Sequence, residues 1–162
     1  MARTDPDLAV SASLLDRLID HDPRNAADPP SSRSQSVRQL KASLRRDLEW
    51  LLNTRRNPDA VPESYAELHR SLHNYGLPDA TATSLSSPRA RQRLLQHIEQ
   101  TIDIFEPRLT GVRVRALENG APGMRVLRFQ IEALLRMDPA PEQILFDTVL
   151  QLVSGEYQVK GE

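Results

Sequence analysis

Cysteine is absent from the 162 residues, and its absence removes several chemistries at once. Disulfide frameworks, thiol nucleophiles and cysteine-ligated zinc all need a side chain that this chain does not have. Aromatics are scarce: three Phe, three Tyr and one Trp. A stacking platform for bases or sugars needs more. An excess of one charge is missing too. The 21 basic and 22 acidic side chains leave a formal net charge of −1, whereas nucleic-acid and membrane-surface binders carry a basic excess. No apolar run approaches the roughly 20 residues of a membrane span. The first ten residues hold Asp5 and Asp7 and no cleavable apolar core, so a signal peptide is not expected. These absences predict a cytoplasmic protein with no nucleic-acid partner, no membrane insertion and no cofactor.

What is present reads as one α+β domain behind an arm. A chain of this length holds a single domain with a real core. Residues 1–35 read as a flexible N-terminal arm. Within it, Ser13 to Ile19 is a short amphipathic piece with Leu14, Leu15, Leu18 and Ile19 on one face. It is too short to hold a helix alone and should dock, either on its own domain or on a partner. Residues 22–35 are rich in Pro, Ser and Asp and read as a linker.

The domain proper spans 36–162. Ser36 with Gln39 predicts a capping box that opens a long helix. Val37, Leu40, Leu44, Leu48 and Leu51 form its apolar stripe, Trp50 sits at the core edge, and Arg45, Arg46 and Asp47 fall on a solvated face. Residues 63–73 predict a short helix with Tyr65, Leu68 and Leu72 as its apolar side. His69 and His73 stand one turn apart, which is weak support for a metal site without a third ligand. Gly76 suits a left-handed cap. Ser87 and Pro88 open a second long helix, with Leu94, Leu95, Ile98, Thr101, Ile102 and Phe105 along its stripe. After Leu109 the period changes to two. A hairpin turning at 118–123, a third strand over about 144–152 and a terminal piece with Tyr157 and Val159 predict an antiparallel sheet of three to four strands. The two main helices should cover one of its faces, leaving a strand edge that is either protected or a docking site.

The helix and the sheet meet at Ile104-Phe105-Glu106-Pro107-Arg108-Leu109. Pro107 stops the helix near Phe105. In the extended segment that follows, Glu106 and Arg108 project to one side and Pro107 to the other. Two readings stay open for that pair: a helix stop with a surface ion pair, or a recognition pair built on arginine's planar fork. Glu99, Asp103 and Glu106 also raise the alternative of a carboxylate-dependent, lysozyme-like glycan hydrolase with Glu106 as acid, but nothing in the sequence marks a sugar cleft.

Three segments, Leu51-Leu52-Asn53-Thr54-Arg55-Arg56, Asn74-Tyr75-Gly76-Leu77-Pro78-Asp79 and Ile104 to Leu109, resemble the TssE family in their order and spacing. These are type VI secretion baseplate wedge proteins, related to wedge proteins of contractile-tailed phages and sometimes labelled lysozyme-like. Leu14 to Leu18 and the stretch from Phe146 to Gly155 are similar as well, so the resemblance covers about residues 12–160. It implies a non-enzymatic, cytoplasmic structural protein with the partners TssF, TssG and TssK. It also implies sheet edges on which the first ring of the contractile TssB–TssC sheath assembles. Glu106, Pro107 and Arg108 would then serve assembly contacts, and Leu14, Leu15 and Leu18 would fold onto the TssF–TssG core.

Overall fold

The computed structural model describes residues 10, 12–19, 23–24, 32–59, 61–79, 87–117 and 126–161. The turn expected at 118–123 and most of the arm and linker lie outside them. The described elements are α1 (Leu14–Leu18), α2 (Arg33–Asn53), α3 (Ala66–His69), a 3-10 turn (Leu72–Asn74), α4 (Pro88–Phe105), β1 (Leu109–Ala116), β2 (Val126–Leu135), β3 (Glu142–Gln151) and β4 (Glu156–Gly161). The strands form one four-stranded sheet in the order β1-β2-β3-β4. Every neighbouring pair is antiparallel, so the sheet is a meander. This is the expected α+β class.

Alternation decides which face is covered. Leu127, Phe129, Ile131, Ala133 and Leu135 of β2 are buried, as are Ile144, Phe146, Thr148 and Leu150 of β3. Against that face α4 lies chiefly on β1 and α2 on β4. The helices contribute Leu44, Leu48, Leu52, Ile98 and Ile102, all fully buried. Each such side chain contributes roughly 1.5–3 kcal/mol by leaving water, which makes this apolar layer the main stabilising term. The other sheet face is mixed, with a Gln130–Asp147 hydrogen bond (2.8 Å) and an Arg115–Glu132 ion pair (3.4 Å) across strands beside the exposed Leu134 and Leu145.

Several local expectations shift. α2 begins at Arg33, not Ser36. Ser32 is the N-cap, with Ser32 N–H donating to Gln35 Oε1 (3.0 Å) and the Ser32 hydroxyl accepting from Gln35 N–H (3.3 Å). Ser32/Gln35 and Ser36/Gln39 fit the same capping pattern, and the helix takes the earlier pair. Ser36 is instead buried inside the helix, donating to Arg33 O (2.8 Å) and accepting from Val10 N–H (2.9 Å). The helix expected over 63–73 shrinks to α3 and the 3-10 turn. No side chain caps α3, and Leu72 is 84% exposed, so there is no buried stripe to extend it. Trp50 is 53% exposed rather than at the core edge, with the Arg46 guanidinium 5.0 Å above its ring. In β1 the strict alternation breaks between Thr110 and Arg113. Gly111 takes φ +64°, and the bulge there brings both Leu109 and Val112 to the core face.

Candidate functional site

α4 ends at Phe105, where the sequence places its stop. Glu106 is the C-cap, its N–H donating to Ile102 O at 2.8 Å. The extended step expected over Pro107 is instead a turn, closed by Leu109 N–H donating to Glu106 O at 3.1 Å, and the turn brings Arg108 back onto Glu106. Arg108 grips Glu106 with a two-pronged fork: Nε donates to Oε1 at 2.6 Å and Nη2 to Oε2 at 2.5 Å. Glu106 is 6% exposed. The pair is therefore not the surface ion pair of the bland reading. Its hydrogen bonds to Glu106 hold the Arg108 guanidinium well above its ordinary range, against the opposing effect of burial.

Asp47 of α2 completes the corner and extends it. Its Oδ2 accepts from Arg108 Nη2 at 2.7 Å, and its Oδ1 accepts from Arg46 Nε at 3.0 Å and Nη2 at 2.8 Å. Arg46 Nη2 in turn lies 2.9 Å from Asp16 Oδ1 of α1. A chain of alternating charge thus runs Asp16–Arg46–Asp47–Arg108–Glu106 and ties α1 to the end of α4. Burial pushes the Asp16 carboxyl up, but hydrogen bonds from Ser13, Arg46 and Ser43 outweigh it, leaving it below the usual carboxylate range.

Of the two dockings the sequence leaves open, this contact ties α1 to its own domain by charge and leaves its apolar face uncovered. The helix meets its own domain through the Asp16 carboxylate, which Ser13 holds from within α1, not through its leucines. Leu14, Leu15 and Leu18 are 74%, 44% and 75% exposed. Three apolar side chains are held out into solvent beside a half-buried charge network that ends on the buried Glu106.

The other two segments singled out in the sequence join the same region. Leu77 N–H donates to Thr54 O and Arg56 N–H to Leu77 O, both at 2.9 Å, so 54–56 and 77 form a short parallel clasp. Gly76, at φ +95°, makes the clasp possible: a Cβ there would sit 2.3 Å from Thr54 O. Tyr75 then stacks edge-on against Phe105 with ring centroids 5.3 Å apart. Burial raises the Tyr75 hydroxyl above its ordinary range, and the negative charges of Asp47 and Glu106 push the same way. Asn53, of the same segment, bonds both backbone groups of Tyr157.

The structure brings Glu106 and Arg108 together, leaves Pro107 exposed, and sets Leu14, Leu15 and Leu18 nearby. Sequence reasoning missed Asp16, Arg46 and Asp47, which read as ordinary helix-surface charges. The one available signal was that Asp47 borders the Leu44–Leu48 stripe. Among the described residues no group of three or more potential metal ligands gathers at His69 or His73 or elsewhere. A cavity of about 660 Å³ lies beside the clasp, lined by residues including Arg55, Arg56, Asn57, His69 and Asp79. Glu99, Asp103 and Glu106 do not line it. Glu99 accepts from Val114 N–H and both Glu106 oxygens accept from Arg108.

Residues 38–140, more than half of the chain, match the family described as baseplate wedge protein gp25. Among solved structures, a chain of "The baseplate complex from the type VI secretion system" aligns with a TM-score of 0.47 at 21% identity, covering 70% of this chain and 96% of that chain. No curated protein matches the sequence.

Proposed function

The chain belongs to the baseplate wedge protein gp25 family, and on that premise we propose that it is the TssE-type wedge component of a type VI secretion baseplate. In this reading it is a cytoplasmic, non-enzymatic part that joins a TssF–TssG core and TssK to the first TssB–TssC sheath ring and helps to nucleate the sheath. The observation that carries the reading is the corner itself. Three sequence segments with family character, far apart in the chain, meet in turn: 54–56 clasps Leu77, Tyr75 packs on Phe105, and Glu106 with Arg108 joins a charge chain to which the exposed leucines of α1 are tethered. Leu14, Leu15 and Leu18 suit an apolar helical partner such as the TssF–TssG core. Pro107 is exposed on the turn that carries Glu106 and Arg108. Carboxylates engaged with arginines and a backbone amide favour a structural role over a glycan hydrolase.

The test is sheath assembly in cells carrying a fluorescent sheath protein, at matched levels of this chain. Leu14→Ser with Leu18→Ser alters exposed side chains and leaves the fold intact, so loss of sheath foci in that variant supports a wedge contact at α1. Arg108→Ala should also abolish foci. Normal foci and dynamics in both variants would overturn the assembly role of the corner.

A further inference from the structure

The arm is fastened to α2 at two points. Val10 N–H donates to the Ser36 hydroxyl at 2.9 Å, and the Val10 side chain packs against the core. Further along, Asp16 Oδ1 lies 2.9 Å from Arg46 Nη2, and the same carboxylate reaches the Ser43 hydroxyl. From Ser36 to Arg46 the helix rises ~15 Å. The arm from Val10 to Asp16 reaches ~20 Å when fully extended, so it runs beside α2 in the same direction with little slack. Ser36, Ser43 and Trp50 recur at heptad spacing and share one stripe of α2. The two serines are buried and Trp50 is exposed. The arm thus lies along the first two positions and stops short of the third. Arg46 spans the gap, bonded to Asp16 on one side and lying over the Trp50 ring on the other.

A polar grip therefore sets the pose of an apolar helix. Five residues cannot hold a helix alone, so the pose of α1 depends on that grip. Leu14, Leu15 and Leu18 are left facing solvent, an arrangement that marks an interaction site when apolar exposure is this concentrated. Arg17 of the same helix is exposed and has no ion-pair partner among the described residues.

We propose that Asp16 and Arg46 are positioning residues that hold α1 in its partner-bound pose before the partner arrives, joining its leucines to Trp50 in one preformed surface. The surface fits an amphipathic helix of the TssF–TssG core, with an apolar stripe for the leucines and the indole and an acidic residue for Arg17. The inference rests on the α1 contact proposed above and adds how that contact is set and which residue of α2 shares it. A loose arm would meet its partner in the right pose only part of the time, and apparent affinity falls with that fraction.

The experiment measures the Kd of the full chain for purified TssF–TssG complex. Asp16→Ala leaves every leucine in place and should raise Kd about tenfold, the rise expected when the docked fraction falls to about a tenth. Arg46→Ala should do the same, and the two together should do little more than either alone. Trp50→Ala should weaken binding while α1 stays docked. An Asp16→Cys, Ser43→Cys chain has no other cysteine. Its oxidised disulfide should restore the parental Kd, and reduction should lose it again, which a direct contact between Asp16 and the partner would not produce. Parental affinity in Asp16→Ala, additive losses, or a disulfide that fails to form or to rescue overturns the clamp. Parental affinity in Trp50→Ala removes the indole from the surface. The underlying reading fails differently: parental affinity in Leu14→Ser with Leu18→Ser removes the α1 contact, and no binding by the parental chain removes the TssF–TssG partner.

Discussion

Arg108 donates through Nε and Nη2 to two carboxylates, while its Nη1 is buried without a partner. A half-satisfied buried guanidinium depends heavily on the partners it has. Removing the charge of Glu106 leaves the half-buried Arg108 with Asp47 alone, and Glu106→Gln is expected to destabilise the fold by about 1.5–3 kcal/mol in urea unfolding. Replacing the two together, Glu106→Leu with Arg108→Met, should cost clearly less than the sum of the single losses. Strict additivity would show that the fork is energetically incidental. Thr148 makes the opposite case. Its Oγ1 is buried in the core with no partner. An unsatisfied buried hydroxyl costs about 1–3 kcal/mol, so Thr148→Val should raise the unfolding midpoint by the equivalent of ~1 kcal/mol. A lowered midpoint would place an unseen hydrogen bond at that site. Neither feature was legible in the sequence. Pro107 marks the helix stop, but Glu106 and Arg108 meet through a turn rather than the expected extended step, and Asp47 stands 61 residues from Arg108 with no local pattern to join them.

Among the elements, those written in short-range chemistry were the readable ones. α4 starts at Pro88 and ends at Phe105 because a proline suits the first turn and Pro107 stops the last. The sheet showed in its alternation, except where Gly111 inserts a bulge that shifts the inward set by one residue. α1 was legible as a helix and illegible as a contact. Its leucines suggested an apolar docking face, yet one carboxylate holds it the other way round. That dependence has a pH signature. The folded value of Asp16 lies below its unfolded one, so its contribution is present in full above about pH 4 and is lost as the pH falls through the depressed value. Because Arg46 also stacks on Trp50, the chain's one tryptophan reports the release. Acid titration should change Trp50 emission in a step below about pH 4, while the rest of the fold persists. The same step in Asp16→Asn would show that Asp16 is not its source.

On the scale of the whole molecule, α1 is an appendage on a self-sufficient body. The core is built from α2, α4 and the sheet, and α1 buries no residue of its own. Deleting residues 1–30 should therefore leave a cooperatively folding domain while weakening co-purification with TssF and TssG; undiminished co-purification would place that contact elsewhere on the surface. The corner and the β1 edge lie within a few residues of each other. Leu109, the first residue of β1, donates its N–H to Glu106 O at 3.1 Å, and Arg108 O accepts from Arg136 N–H at 2.8 Å. A tension applied at the corner therefore enters β1 along its own axis, in line with the ladder it shares with β2. Loaded in that direction, the hydrogen bonds of the ladder resist together rather than parting one after another.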